Sequence, residues 1–219
     1  MAKRRSKLRR KLNRGRVAVN IEIKKLTAEL LDDWLGYFDN DVFSDEDEWP
    51  GCYCMHFHWN EGLDSRHDWN QTLEQVYKNT GKADNRGRAI RLIKNGTMQG
   101  YLAYHAGKVV GWCNANDKNK YKTVLNSFFD NTENRKVKSI VCFCTAHDMR
   151  RKGIATKLLE KVCADAVEEG YEYIEAYPYN HVQEIDFTGS LAMYEKMGFV
   201  RSGQYMDDCT VMRKILSPQ

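Results

Sequence analysis

The sequence predicts a single α/β or α+β domain in which helices flank one mixed sheet. Short apolar or β-branched segments alternate with amphipathic stretches of helical period along most of the 219 residues. The length fits one domain, and neither an internal repeat nor a long linker divides the chain. An apolar fraction of 42% is enough to supply one packed core.

The first half of the chain begins as a strand followed by a helix. Residues 17–23 alternate apolar with other side chains, which is typical of a half-buried strand. Thr27 can cap the next helix, whose apolar residues recur at helical spacing as far as Phe38. The remaining predictions for this half are a strand or loop at 52–59, after the turn residues Pro50-Gly51, and helices at about 67–80 and 84–95.

The second half predicts a hairpin, a buried strand and a long helix. Strands at 100–105 and 109–115 flank the turn residues 106–108. The run VKSIVCFCT at 137–145 is apolar and β-branched, as in a sheet interior. An amphipathic helix follows at about 154–170. The remaining predictions are strands at 171–177, 199–204 and 206–215 and a short helix at 191–196.

Composition excludes several classes of protein. No apolar run reaches the roughly 18–20 residues that a membrane helix needs. The basic N-terminus lacks the apolar segment of a secretory signal. We therefore expect a soluble, cytoplasmic protein without membrane contact. Seven cysteines scattered through such a chain predict free thiols rather than a disulfide scaffold.

The first 16 residues carry charge of one sign only. Nine of them are Lys or Arg and none is acidic, whereas the remaining 203 residues hold 25 basic and 30 acidic groups. Because like charges repel, residues 1–16 are predicted to form a disordered N-terminal arm. Two interpretations stay open: a solvated leader, or an arm that makes weak contact with nucleic acid by neutralising phosphates.

The most informative stretch joins the apolar strand at 137–145 to the helix after it. Between them lies a tight basic turn, Arg150-Arg151-Lys152-Gly153. The first N–H groups of a helix have no internal partner, and the helix dipole favours an anion there. Gly153 and Ala155 leave room for that anion to reach the backbone. The stretch predicts a pyrophosphate cradle, although it contains neither the Walker loop nor the three-glycine dinucleotide fingerprint.

Two motifs of this half resemble those of one enzyme family. Arg150-x-x-Gly153-x-Ala155 after an apolar strand is similar to the acetyl-CoA motif of the GNAT N-acetyltransferases, Arg/Gln-x-x-Gly-x-Gly/Ala. Some forty residues later, Tyr194 on a short helix followed by Gly198-Phe199 resembles the later motif of that family. The resemblance covers 98–215 well, and it covers 17–97 only in the order of strand and helix.

The resemblance implies a GNAT fold at 17–219 with a mostly antiparallel sheet, an acceptor-side half at 17–97 and an acetyl-CoA-binding half at 98–219. It implies acetyl transfer from acetyl-CoA, without a metal, to an amine that attacks directly. Tyr194 is then the general acid that protonates the thiolate of CoA. The residues implied in cofactor binding are Cys142, Phe143, Cys144, Arg150, Arg151, Lys152, Gly153, Ile154, Ala155 and Thr156.

The sequence departs from the family at one position and specifies no general base. Many relatives carry Asn seven residues before the Tyr, where this chain has Phe187. The residues that could replace the polar contacts of that Asn are Asp186, Thr188 and Ser190. The residues considered as a base are Glu175, His147, Asp148 and His181, and deprotonation through water needs none of them.

The acceptor is expected to bind near an acidic segment at 32–48. The resemblance assigns the acceptor-binding helices to this part of the chain, and a negative mouth would concentrate a cationic small molecule. A solvated helix end is the alternative interpretation, and both stay open. The candidates for substrate binding are Asp41, Asp45 and Glu175, the last on the strand after the cofactor helix.

The run Cys52-x-Cys54-x-His56-x-His58 contains four residues of metal-ligating type. On a strand they would share one face but extend over roughly 20 Å, too far for one tetrahedral ion. We therefore expect no metal at this run. The alternative is a strand whose other face lines the acceptor pocket with Tyr53, Phe57 and Trp59.

These observations predict an N-acetyltransferase whose acceptor is a small cationic molecule. The second hypothesis is acetylation of a protein or peptide, at ribosomes through the basic arm. The third is a non-catalytic acyl-CoA-binding or RNA-associated module that keeps the fold without turnover. Members of the family pair in several ways, so a homodimer is an expectation that no residue stripe specifies.

Overall fold

A mixed sheet of seven strands forms the centre of the molecule. The structure, a computed structural model, describes residues 19–44, 51–58, 82–121, 135–181, 187–205 and 208–216. The strands are β1 (Glu22–Lys25), β2 (Gly100–His105), β3 (Lys108–Asp117), β4 (Val137–Thr145), β5 (Tyr173–Ala176), β6 (Val200–Tyr205) and β7 (Cys209–Ile215). Their order is β1-β2-β3-β4-β5-β7-β6, and only β4 and β5 pair in parallel. The predicted fold class is confirmed.

Helices cover both faces of the sheet. The α-helices are α1 (Leu31–Asn40), α2 (Lys82–Lys94), α3 (Ile154–Glu168) and α4 (Leu191–Lys196). Short 3₁₀ helices lie at Ala28–Leu30, Met55–His58, Lys118–Lys120 and His147–Met149. In the part of the chain that the structure describes, no helix is both long and apolar enough to cross a bilayer. The arm at 1–16, Asp45 and the helix predicted at 67–80 lie outside the described residues.

Alternation along β3 places α1 and α3 on opposite faces. The Trp112 ring packs on the Trp34 ring of α1, with centroids 6.0 Å apart at 80°. Gly111, the preceding residue, points to the other face, where an added Cβ would lie 2.7 Å from the Ile154 side chain of α3. A side chain at position 111 would therefore push the start of α3 away from the sheet.

Local sequence signals set the turns around these elements. The β2–β3 hairpin turns at Ala106 and Gly107, which both have positive φ (49° and 79°), as in a two-residue type I′ turn. The predicted end of α3 is confirmed by Gly170, whose φ of 71° ends the helix. Residues 52–58 do not form a strand; they form a turn followed by the 3₁₀ helix at Met55–His58.

Candidate active site

An opening in the sheet lies where β4 and β5 separate. The two strands pair from Val137↔Tyr173 to Ile140↔Ala176. Beyond Ile140, β4 continues for five more residues and pairs with β3 as far as Thr145. The backbone groups of 141–145 that point away from β3 therefore border an opening rather than a neighbouring strand.

The predicted cofactor residues Cys142, Phe143 and Cys144 lie along this opening. The pairing with β3 skips Val141, a bulge that increases the local twist and turns the strand that follows. The Phe143 N–H donates to the carbonyl oxygen of Phe187 at 2.6 Å. An extended ligand that added to this edge would form its hydrogen bonds with the same backbone groups.

An anion-binding geometry follows directly after β4. Gly153 is the N-cap of α3 with a φ of 83°, and no side chain caps the helix. An added Cβ at Gly153 would meet nothing within 4 Å, so the space over these N–H groups is open. The first turn of α3 contains no acidic residue. The exposed amides and the helix dipole together favour a phosphate at this end.

Basic side chains surround this helix start. The Arg150 Nε donates to the Thr145 carbonyl at 3.4 Å, which ties the turn to the end of β4. Arg151 and Lys152 are exposed. Arg151 also has a positive φ of 63°, an unfavourable backbone conformation for a residue with a Cβ. Left-handed residues in such a turn direct successive N–H groups to one side, which is typical of anion-binding nests. The group therefore fits a diphosphate.

Tyr194 lies on the other side of the opening. Ser190 caps α4 by accepting from the Met193 N–H, and Gly198 (φ 81°) ends the helix. The Tyr194 side chain is fully buried, and its hydroxyl donates to the Thr188 carbonyl at 2.8 Å. The Phe187 carbonyl accepts from the Phe143 N–H, and the next carbonyl along the chain, that of Thr188, accepts from the Tyr194 hydroxyl. The two donors therefore lie near the same part of the opening.

The described acidic residues at the end of α1 are paired. The Asp41 carboxylate accepts from the Lys108 Nζ at 2.7 Å. Asp39 accepts from the Arg86 guanidinium at 2.9 Å and from the Tyr53 hydroxyl at 2.5 Å. Burial, with a further contribution from Asp39, raises the pKa of Tyr53, so this phenol stays neutral. These pairs reduce the negative potential that the sequence alone predicts for the segment.

Glu175 belongs to a buried ion-pair network. Its side chain has no exposed area. One oxygen lies 3.0 Å from the Lys118 Nζ and the other 2.5 Å from the Arg213 Nη2. The Tyr177 hydroxyl also donates to it, at 3.1 Å. The carboxylate is thus occupied by cations of the protein's own chain, which gives it a structural role.

Glu175→Gln is expected to lower the free energy of unfolding by about 3 kcal/mol, because it removes the buried negative charge that faces the Lys118 and Arg213 cations. Urea denaturation measures this change. The double variant Lys118→Met with Glu175→Gln also removes the buried ammonium group and is expected to recover more than about 1 kcal/mol of that loss. Unchanged stability together with a raised KM for an amine would instead assign Glu175 to the acceptor site.

The other residues considered as a base have different surroundings. His147, Asp148 and His181 are exposed. His58 was not among the sequence candidates. Burial lowers its pKa to about 4, so its imidazole is neutral at pH 7. The Asn114 amide lies 3.3 Å from its Nε2.

Sequence reasoning missed the part played by Phe187 and the surroundings of Cys54. A backbone carbonyl carries no residue signature, so nothing in the sequence indicates that Phe187 accepts from Phe143. Cys54 lies in a turn where both it and Tyr53 have positive φ (50° and 46°), which a strand prediction does not allow. Its Sγ accepts from the Trp112 Nε1 at 3.2 Å, beside β4.

Solved acetyltransferase structures share this architecture. An N-acetyltransferase from Staphylococcus aureus Mu50 is 15% identical, with a TM-score of 0.52 over 90% of this chain and 99% of its own. A PaiA N-acetyltransferase from Thermoplasma acidophilum, solved in complex with coenzyme A, is 15% identical, with a TM-score of 0.51 over 90% and 99%. The polyamine N-acetyltransferase of Drosophila melanogaster is 11% identical, with a TM-score of 0.51 over 90% and 100%. At these identities the likeness is one of fold.

Sequence comparison identifies the family. No curated protein matches the chain at a significant level. The family model described as "Acetyltransferase (GNAT) family" matches residues 27–199, which is well over half of the chain. The match includes the opening in the sheet, all of α3 and α4, and Gly198-Phe199. The chain therefore belongs to the acetyltransferase (GNAT) family.

Proposed function

We propose that this protein transfers an acetyl group from acetyl-CoA to a primary amine by direct attack, and that its acceptor is a small organic cation. The observation that carries the proposal is the order of three features, which together would define a path for the donor: the anion-binding start of α3, the edge of β4 beyond its pairing with β5, and the Tyr194 hydroxyl. Acetyl-CoA, the acyl donor of the family, has a diphosphate, an amide-containing arm and a thioester in that order.

Each part of the path has the chemistry that its section of the donor requires. The N–H groups of Gly153–Thr156 and the cations of Arg150 and Arg151 suit the diphosphate. The edge of β4 at Cys142–Cys144 suits the amide-containing arm, which adds like a further strand. A backbone N–H at this edge can also stabilise negative charge on the thioester oxygen.

The chain's own groups must also handle protons. A Lys-like amine has a pKa of about 10.4, so it must lose a proton before it can attack. In the proposal, Tyr194 donates a proton to the departing thiolate. The proposal assigns deprotonation of the amine to water, because the Glu175 carboxylate is paired with Lys118 and Arg213. The rate at fixed amine concentration is then expected to rise with pH below the pKa of the amine.

An aromatic pair supports a cationic acceptor. The rings of Phe43 and Phe187 are half-buried and lie 5.9 Å apart, at 67° to one another. Phe187 is also the residue whose carbonyl binds the Phe143 N–H, so the pair stands beside the open edge of β4. Aromatic faces attract cations by about 0.5–2 kcal/mol. This pair supports an organic cation better than the acidic residues do, because Asp39 and Asp41 already have partners.

The proposal is tested by calorimetric titration with acetyl-CoA, followed by thiol release with a panel of amines. We expect micromolar binding of acetyl-CoA and release of CoA with small polyamines. The panel also contains aminoglycoside-like amines and peptides with a free N-terminus or Lys. Release of CoA with peptides alone would show that the acceptor is a protein rather than a small molecule. Binding without release from any amine would indicate a non-catalytic module, and absence of binding would refute the proposal.

A further inference from the structure

Three cysteine thiols meet on the face of the sheet that α1 covers. The Sγ atoms of Cys54, Cys142 and Cys144 all lie within 4.8 Å of one another. Those of Cys142 and Cys144 are 3.7 Å apart. Cys54 and Cys144 are buried, and Cys142 is half-buried, which leaves a route to the cluster from solvent. The acetyl-transfer chemistry proposed above uses none of these three side chains.

The fold holds the three thiols together by two local devices. Cys142 and Cys144 are two residues apart on β4 and therefore project from the same face. Cys54 comes from the turn before the 3₁₀ helix at Met55–His58, where Tyr53 and Cys54 both adopt left-handed backbone conformations. Each such residue costs on the order of 1–3 kcal/mol, so the surrounding packing must impose it. The packing that imposes this conformation also holds the Cys54 thiol against β4.

Without a metal, the cluster favours a single thiolate, at Cys54. Hydrogen bonds with Cys144 and Cys54, together with burial, raise the pKa of Cys142, and the hydrogen bond with Cys54 and burial raise that of Cys144. Hydrogen bonds from Cys142 and Cys144, together with that from the Trp112 indole, hold the pKa of Cys54 well below its ordinary value despite burial. The Tyr37 hydroxyl is buried and has no hydrogen-bond partner among the described residues. Burial raises the pKa of Tyr37, and charge at Cys144, Cys142 and Cys54 raises it further.

The distances suit a tetrahedral ion. A zinc–sulfur bond of about 2.3 Å gives an edge of about 3.8 Å between two thiolates of a tetrahedron. The Cys142–Cys144 pair already has this separation, and Cys54 needs to move by less than about 1 Å. Sulfur-only ligation selects thiophilic ions over magnesium or calcium. We propose that Cys54, Cys142 and Cys144 bind one thiophilic divalent cation, Zn²⁺, through three thiolates. The fourth coordination position of the ion is left free.

The run at 52–58 thus contributes one ligand instead of four. The expectation that no metal binds there assumed a strand, on which its Cys and His residues diverge. In the structure the run is a turn, and two of the three thiols come from β4 instead. Because all three thiols must lose a proton, Zn²⁺ binding is expected to weaken steeply as the pH falls.

The test measures Zn²⁺ affinity of the full, reduced, metal-free chain in competition with a chromophoric chelator. We expect one tight site per chain, and Cd²⁺ is expected to give an ultraviolet charge-transfer band with the intensity of three thiolates. Cys54→Ser and Cys144→Ala are each expected to lower the affinity at least about 100-fold. Cys163→Ser is the control, because Cys163 is a buried free thiol on α3 outside the cluster.

Circular dichroism shows whether each variant is folded. Because two of the proposed ligands are replaced separately, the test remains valid if either Cys54→Ser or Cys144→Ala fails to fold. Equal affinity in the wild type and in a folded Cys54→Ser or Cys144→Ala variant would overturn the proposal. So would an equal loss in Cys163→Ser. A chain that takes up no Zn²⁺ when reduced, and that loses two hydrogens in mass when dissolved oxygen is the oxidant, would identify the cluster as a disulfide site instead. This result does not depend on acetyl transfer, so the two proposals fail independently.

Discussion

Tyr194→Phe is expected to lower turnover about 10²- to 10⁴-fold while changing acetyl-CoA affinity by less than about threefold. The proposal gives the hydroxyl a part in protonating the leaving thiolate and no part in holding the diphosphate or the amide arm. The ring keeps its place, since it is fully buried and packs on Phe199 with centroids 5.2 Å apart. Steady-state thiol release and calorimetry measure the two quantities separately.

A matched variant controls for the structural effect of losing a phenol hydroxyl. The Tyr194 hydroxyl also donates to the Thr188 carbonyl, a bond whose loss costs about 1 kcal/mol of stability. Tyr104→Phe likewise removes a hydrogen bond, to Asp33 at 2.7 Å, but on β2, with β3 between it and the opening. Tyr104→Phe should keep full turnover. Full turnover in Tyr194→Phe would remove that residue from the mechanism.

Gly153→Glu is expected to weaken acetyl-CoA binding at least about 100-fold, which is ~2.7 kcal/mol. The free protein should still fold, since an added Cβ meets nothing within 4 Å and an acid at a helix N-terminus interacts favourably with the dipole. The left-handed backbone at this position costs about 1–2 kcal/mol for a residue with a Cβ. The loss of affinity comes from placing a carboxylate where a diphosphate must approach. Calorimetric titration measures it.

Gly96→Glu separates this electrostatic effect from backbone strain. Gly96 has a similar φ of 73°, also has nothing within 4 Å of an added Cβ, and follows α2 rather than preceding α3. Its Glu variant carries the same strain and the same charge at a site remote from the start of α3. Acetyl-CoA affinity should be unchanged in it. Unchanged acetyl-CoA affinity in Gly153→Glu, or an equal loss of affinity in Gly96→Glu, would refute the proposal that the start of α3 binds the diphosphate.

The elements that sequence predicts best are those whose signals are local. The predicted strand VKSIVCFCT at 137–145 has the same first and last residues as β4. This run contains β-branched and apolar residues without the helical periodicity that would compete with a strand prediction. The helix at 191–196 is also confirmed, and a serine cap and a glycine at its end specify both boundaries. The basic turn before α3 could be predicted for the same reason: its cations, its glycine and the helix start are contiguous.

The features that sequence alone does not indicate depend on long-range contacts. The charge of Glu175 gives no indication that Lys118 and Arg213, 57 and 38 residues away, would surround it. Alternation at Cys52–His58 indicated a strand or a loop, and two left-handed residues in sequence produce a turn that propensity scales disfavour. The acidic run suggested a negative mouth, yet Asp39 and Asp41 have partners contributed by α2 and β3.

The bond between the Phe143 N–H and the Phe187 carbonyl has a kinetic consequence. A donor that adds to the edge of β4 must compete with the protein's own backbone for that N–H. Association then requires a rearrangement of the 187–190 segment, so the observed on-rate should reach a plateau as donor concentration increases. The same segment carries the Thr188 carbonyl that holds the Tyr194 hydroxyl. Arrival of the donor would therefore rearrange the segment that binds the Tyr194 hydroxyl, so that the first effect of the donor is on the surroundings of that group.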